Sequence, residues 1–130
     1  MIFALAMLAS AGTAGAAKTV YVDGKNGNNA WDGLCETWDG GSCGPKKTIQ
    51  AGINAAVNGD QVLVANAVYA GEGNTDLNFF GRAITLKSIN GPDYCIIDGT
   101  DGEDPAFRFE YGEEADTVLD GFTITNFRPC

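Results

Sequence analysis

Short apolar segments recur in this chain at a nearly fixed interval, and that recurrence limits the possible folds more than any other feature. Val62 and Val64, Ile84 and Leu86, and Phe107 and Phe109 form three x-apolar pairs, each starting about 22 residues after the one before. A second column runs beside them: Ile96, Ile97, Asp98 and Gly99 are echoed at the same interval by Val118, Leu119, Asp120 and Gly121, while Leu77 and Phe79 stand a slightly shorter step before Ile96. A period of about 20 to 25 residues with strand and turn content marks a repeat architecture, in which each unit buries its inner face only against its neighbours. Asn90-Gly91-Pro92, Asp98-Gly99, Asp101-Gly102 and Asp120-Gly121 supply residues that tolerate positive φ where the chain must turn. The competing fold is a β-sandwich of short hairpins, but no two segments are joined by a tight two-residue hairpin loop flanked by clean alternation.

Gly occupies 18 of 130 positions, about twice the usual share, while 45 % of residues are hydrophobic, so a disordered low-complexity chain is excluded in favour of many short strands. The apolar run from Met1 to Ala9, followed by Ala14, Gly15, Ala16 and Ala17, reads as an export leader spanning residues 1–17, cut after Ala16 or Ala17. No Lys or Arg precedes the run, a departure from the usual basic start; the alternative is a buried apolar segment. The run is too short to span a bilayer, and no later stretch approaches about 20 apolar residues, so the mature chain is expected to lack a transmembrane segment. A formal charge of −9 makes nucleic acid an improbable partner and repels polyanions such as pectate unless a cation intervenes.

Thr19 to Asp23 alternate as a strand ended by Gly24, and the chain from there to Lys46 is loop. So long a connection points to a binding loop or a lid. Cys35 and Cys43 bracket part of it and are expected to pair, contributing about 2 to 3 kcal/mol in a chain bound for an oxidising compartment. Cys95 and Cys130 form either a second bridge or two free thiols. From Thr48 to Asn58 the spacing becomes helical, with Ile49, Ile53, Ala56 and Val57 on one face, Gln50 and Asn54 outside it, and Pro45 and Gly59 as boundaries.

Tyr21-Val22-Asp23, Gly27-Asn28, Trp31-Asp32-Gly33, Gly44-Pro45, Lys47-Thr48-Ile49-Gln50, Ile53, Ala55-Ala56, Gly59-Asp60, Val62, Val64-Ala65 and Tyr69 together resemble the N-terminal capping region of pectin-lyase-like, right-handed β-helix repeat proteins. Ala83-Ile84-Thr85-Leu86, Cys95-Ile96-Ile97-Asp98-Gly99 and Val118 to Ile124 look like their coil repeats. The resemblance covers nearly the whole chain after the leader, and its strength lies in the order and spacing of elements that are individually degenerate. It implies an all-β, right-handed parallel β-helix with one N-terminal capping α-helix, residues 18–130 being the cap and first coils, truncated at the C-terminal end. It also implies an extracellular or cell-surface scaffold. Some family members are polysaccharide lyases or glycoside hydrolases, but their catalytic acids and Arg lie on middle coils that this chain does not reach, and none is carried over. Fold alone does not fix function in such a family.

The chain has no His, which excludes a histidine base, a Ser-His pair or a histidine zinc site. Asp98 and Asp120, one interval apart, are expected to stack on adjacent coils, either as a carboxylate pair able to act on a sugar or as turn residues preceding Gly. Asp98, Asp101, Glu103 and Asp104, with Glu113, Glu114 and Asp116 one coil later, would suit a hard cation such as Ca²⁺, but match no EF-hand loop. The plainer reading is a solvated acidic edge. Trp31-Asp32-Gly33 and Trp38-Asp39-Gly40 repeat one unit within the long loop. Trp31 and Trp38 either stack on a sugar ring beside carboxylates or fold back over the first coil as a local mini-core.

The last strand, near Phe122 and Ile124, is followed shortly by the terminus at Cys130, and nothing there resembles a capping helix. About four unpaired apolar side chains would leave some 6 to 12 kcal/mol of burial unrealised, as much as a typical domain's stability. The expectation is that the natural protein continues with further coils or that the segment self-associates. The sequence therefore points to a secreted scaffold segment with a structural or glycan-binding role and no catalytic site, and secondarily to the front of a polysaccharide lyase or glycoside hydrolase. An adhesin-like surface repeat differs from the first mainly in anchoring.

Overall fold

The computed structural model describes residues 17–100, 102–112 and 116–128. Within them the regular elements are strands, apart from one α-helix. In chain order the elements are β1 (Thr19–Val22), α1 (Ile49–Ala55), β2 (Gln61–Val64), β3 (Ala67–Ala70), β4 (Leu77–Asn78), β5 (Thr85–Ser88), β6 (Cys95–Asp98), β7 (Phe107–Arg108), β8 (Val118–Asp120) and β9 (Thr123–Thr125). They form three sheets, ordered β1-β2-β5-β8, β3-β6-β9 and β4-β7. Every strand pair is parallel. The hairpin sandwich is thereby excluded, because its neighbours would run antiparallel. From β2 onward the chain visits the three sheets in the same cyclic order on each circuit.

The strands alternate because one face is sealed. Val20 and Val22 on β1, Val62 and Val64 on β2, and Leu86 on β5 are fully buried, while the residues between them are half-buried or exposed. Tyr69, Cys95 and Ile97 from the second sheet and Leu77 and Phe79 from the third complete the same core. Ile84, just before β5, is buried there too.

The register differs from the even columns read in the sequence. Val62 lies beside Leu86, not Ile84, and Leu86 lies beside Leu119, so the two steps are unequal and the second is much the longer. Phe107 belongs to the third sheet, paired with Leu77, whereas Ile84 adjoins the first, where its carbonyl accepts from the Val118 N–H at 3.1 Å. Ile96 pairs with Val68 and Thr123 rather than aligning with Val118. The cause is unequal connection length: the apolar pairs of different sheets look alike, and a varying loop shifts one column onto another. Asp98 consequently lies beside Ala70 and Thr125 while Asp120 lies beside Lys87, so the two carboxylates do not stack.

The helix is shorter than its periodic pattern. Thr48 caps it, accepting the Ala51 N–H at 3.3 Å, and it ends at Ala55 because the Val57 N–H turns away to Asp60 Oδ2 at 2.9 Å. Val57 is 57 % exposed instead of facing the core. Ile49, Ile53 and Ala56 do face it. Gly52 lets the helix approach the first sheet, since a methyl group at that position would run into Val22 and Val62. Gln50 is not a solvent residue: its Nε2 donates to the Asn78 carbonyl at 2.9 Å and its Oε1 accepts the Asn78 N–H at 2.9 Å. A helix side chain thus bonds the backbone of β4, as an adjoining strand would.

Among the turns, Gly91 and Gly121 take positive φ as expected, but Gly99 does not. Gly99 is required for space, the Phe127 ring lying where its Cβ would be.

Candidate functional site

The loop from Gly24 to Lys46 is built around β1. The Tyr21 N–H donates to the Gly33 carbonyl, the Lys46 N–H to the Tyr21 carbonyl and the Asp23 N–H to the Lys46 carbonyl, each at 2.8 Å. These bonds cover the outer edge of β1, which would otherwise be open for strand addition. Asn29 fixes the loop to the helix cap, its Oδ1 accepting the Lys47 N–H at 2.7 Å and the Thr48 N–H at 3.1 Å.

The two Trp-Asp-Gly units fold alike for a local reason. Asp32 Oδ1 accepts the Leu34 N–H at 2.9 Å, and Asp39 Oδ1 accepts the Gly41 N–H at 2.7 Å. Each is a carboxylate-capped turn, and Gly33 and Gly40 supply the positive φ at the following position. The Cys35–Cys43 disulfide, with Cα atoms 5.3 Å apart, ties the second unit back towards the first. The two indoles then stack, with centroids 5.1 Å apart and planes 6° from parallel.

The two tryptophans sit in different surroundings. Trp31 is half-buried with its ring against Gly44, as in a local mini-core. Trp38 is 55 % exposed, and its Nε1 donates to the Gly41 carbonyl at 2.7 Å, which fixes the indole plane. Beside the pair lies a cleft of about 320 Å³ lined by the two tryptophans, Asp23, Asn26, Glu36 and Thr37. Asp23 is committed to its own turn, accepting from the Lys25 and Asn26 N–H groups and the Asn26 amide. Glu36 is exposed. The sequence does not single out Asp23, Asn26 and Glu36 as site residues; the only signal for them is proximity to the Trp-Asp-Gly units.

Two of the carboxylates considered for a cation, Asp98 and Glu103, have other partners. Asp98 Oδ1 accepts from the Thr100 hydroxyl at 2.6 Å and from the Asn126 amide at 2.9 Å, bonds that hold its carboxyl below the ordinary range. Glu103 pairs with Arg128 at 2.6 Å. Asp104 lines a separate cleft with Gln50 and Asp76, and Asp76 pairs with Arg108 at 2.5 Å. Asp101, Glu113 and Glu114 lie outside the described residues, and Asp116 is exposed. Among the described residues no three His, Cys, Asp or Glu side chains come together as a metal site.

Cys95 is a free, buried thiol whose Sγ donates to the Ala65 carbonyl at 3.8 Å; Cys130 lies outside the described residues. Burial pushes the Cys95 thiol up to about 12, far from a reactive thiolate at neutral pH. No described helix is long and apolar enough to cross a membrane. Comparison with known protein families, with individual proteins and with solved structures finds no match to the chain. The arrangement defines a mostly β protein of parallel sheets carrying a disulfide-bound aromatic loop at one end.

Proposed function

We propose that this chain is an extracellular scaffold segment of the right-handed parallel β-helix kind, whose long loop presents an aromatic platform to glycans. The fold part of the reading draws on three all-parallel sheets visited in a constant cyclic order. A crossover between parallel strands of one sheet is right-handed in about 98 % of cases, so successive circuits would wind with that hand. The disulfide supports an oxidising, extracellular setting. The sequence resemblance to pectin-lyase-like repeat proteins agrees with this reading.

The single observation that carries the glycan part is the stacked Trp31–Trp38 pair beside the cleft. A sugar ring presents C–H groups on its faces and hydroxyls on its rim. The open face of Trp38 suits the first, and the Glu36 carboxylate and Asn26 amide suit the second. The overall charge favours neutral over acidic polymers. The reading assigns no catalytic residue. The outer edges of β7, β8 and β9 are where further coils of the same chain, or a second copy, would add.

Tryptophan emission tests the platform. Titration with neutral oligosaccharides is expected to change it saturably, and Trp38→Ala is expected to weaken binding at least about tenfold, the equivalent of about 1.4 kcal/mol. Silence across neutral and acidic polysaccharides removes the glycan reading.

A further inference from the structure

Asp23 follows β1, Ala65 and Asn66 follow β2, and Ile89 and Asn90 follow β5. These three strands are neighbours in the first sheet, and their bonding continues one step past the strand ends: the Ala65 N–H donates to the Val22 carbonyl at 2.8 Å and the Ile89 N–H to the Val64 carbonyl at 2.9 Å. The corner at which the chain leaves the sheet is thus stacked on successive circuits, at about 4.8 Å per step. Asn90 Nδ2 donates to Asn66 Oδ1 at 2.9 Å across the second step. That bond leaves the Asn66 amide hydrogens and the Asn90 amide oxygen without a partner among the described residues. Beside them the Ile89 side chain is 38 % exposed.

A hollow of about 270 Å³ lies against this corner, lined by Lys25, Asn66, Ile89 and Asn90 together with Asp23, Asn26 and Glu36. The last three also line the tryptophan cleft, so the two depressions adjoin on one surface. They offer similar chemistry. Trp38 gives an open apolar face with a carboxylate and an amide at its side, and Ile89 gives a smaller apolar face beside two amides that hold a free donor and a free acceptor. A polysaccharide repeats the same pairing of C–H face and hydroxyl rim at every unit, and a single sugar on Trp38 would leave the second depression unused. Neutral hydroxyls both donate and accept, as the asparagine amides do, whereas an acidic polymer would bring its charges against Asp23 and Glu36.

We propose that the tryptophan cleft is one end of an extended site, in which a neutral polysaccharide chain lies along the direction of stacking, one sugar on Trp38 and later sugars on Ile89 and the Asn66–Asn90 amides. The inference deepens the glycan reading and rests on it. From the Asp23 circuit to the Asn90 circuit is two steps, about 10 Å, so the site takes several sugars at once.

The test is calorimetric titration of the protein with β-linked glucose, mannose and xylose oligosaccharides, each as chains of two and six units. A chain that gains only more ways of placing the same two sugars on one small site improves by at most about fivefold, whereas contacts linked along one groove multiply. For the series that binds, a gain of about tenfold or more from the shorter to the longer chain is expected, and Asn90→Ala and Ile89→Lys are each expected to reduce it to about fivefold or less. Ile89→Lys alters only an exposed side chain and covers the case in which losing the Asn66–Asn90 bond disturbs the turn. A smaller gain in the unmutated protein overturns the extended site while leaving the platform in place. A gain that persists in full in both variants overturns the assignment to the Asn66–Asn90 corner, and tighter binding of galacturonate chains of the same lengths overturns the choice of a neutral polymer. Absence of binding by every series at both lengths overturns the inference and the platform together.

Discussion

Asp60 shows how much of this structure depends on single polar side chains that the sequence does not advertise. Burial alone would raise its pKa, but the Lys18 ammonium and the N–H groups of Lys18 and Val57 outweigh burial and hold it below the ordinary carboxylate value. A carboxyl whose folded pKa is depressed stabilises the fold fully above its unfolded value of about 3.9, and that contribution is lost as pH falls through the folded value. The wild-type melting temperature is therefore expected to fall below about pH 4 more steeply than that of Asp60→Asn, whose melting temperature at pH 7 is already lower. Parallel acid limbs in the two proteins would show that Asp60 contributes nothing. Gly59-Asp60 reads in sequence as an ordinary turn, and its partner Lys18 is 42 residues away. Gln50 is hidden in the same way. Its position outside the apolar face of α1 predicts solvent, whereas Asn78, 28 residues on, supplies a backbone donor and acceptor. Local pattern carries information about neighbours in the chain, and these contacts lie beyond its reach.

The elements themselves are largely legible, because each is determined locally. Alternation marks β1, the apolar face marks α1, and the close spacing of Cys35 and Cys43 marks a closed loop. The long loop is recognisable as a loop, but its ordered path over β1 is not, because that path is made by backbone hydrogen bonds from Gly33 and Lys46. Within this element the disulfide and the indole stack both join the two Trp-Asp-Gly turns. Replacing both cysteines by serine is expected to lower stability by about 2 to 3 kcal/mol, read by chemical denaturation. It should also change the tryptophan emission, because the stack sets the surroundings of both indoles. Unchanged emission in that variant would mean that the Asp32 and Asp39 turns suffice to hold Trp31 on Trp38.

The register of the whole molecule is the least legible feature. In place of one even interval, the steps from Val62 to Leu86, from Leu86 to Leu119 and from Leu77 to Phe107 all differ, and each is longer than the sequence columns suggest. Ile-Ile-Asp-Gly and Val-Leu-Asp-Gly resemble each other because both are strands leading into turns, although they lie in different sheets. What does carry through is parallel pairing of strands that bury alternate residues. On the last circuit Leu119 and Ile124, in register with the buried Leu86 and with Ile97, are 39 % and 44 % exposed, and no described strand lies beyond them. The chain is accordingly expected to self-associate in light scattering, and Leu119→Lys with Ile124→Lys to return it to monomer with an unchanged far-ultraviolet spectrum. A monodisperse wild-type monomer would contradict this expectation.

The hydrogen bonds that the Gly24–Lys46 segment makes along β1 give the molecule a polarity. Within the first sheet one edge is occupied by the chain's own backbone and the other, at β8, borders no described strand, so any strand added to that sheet is expected beside β8 and away from the tryptophans.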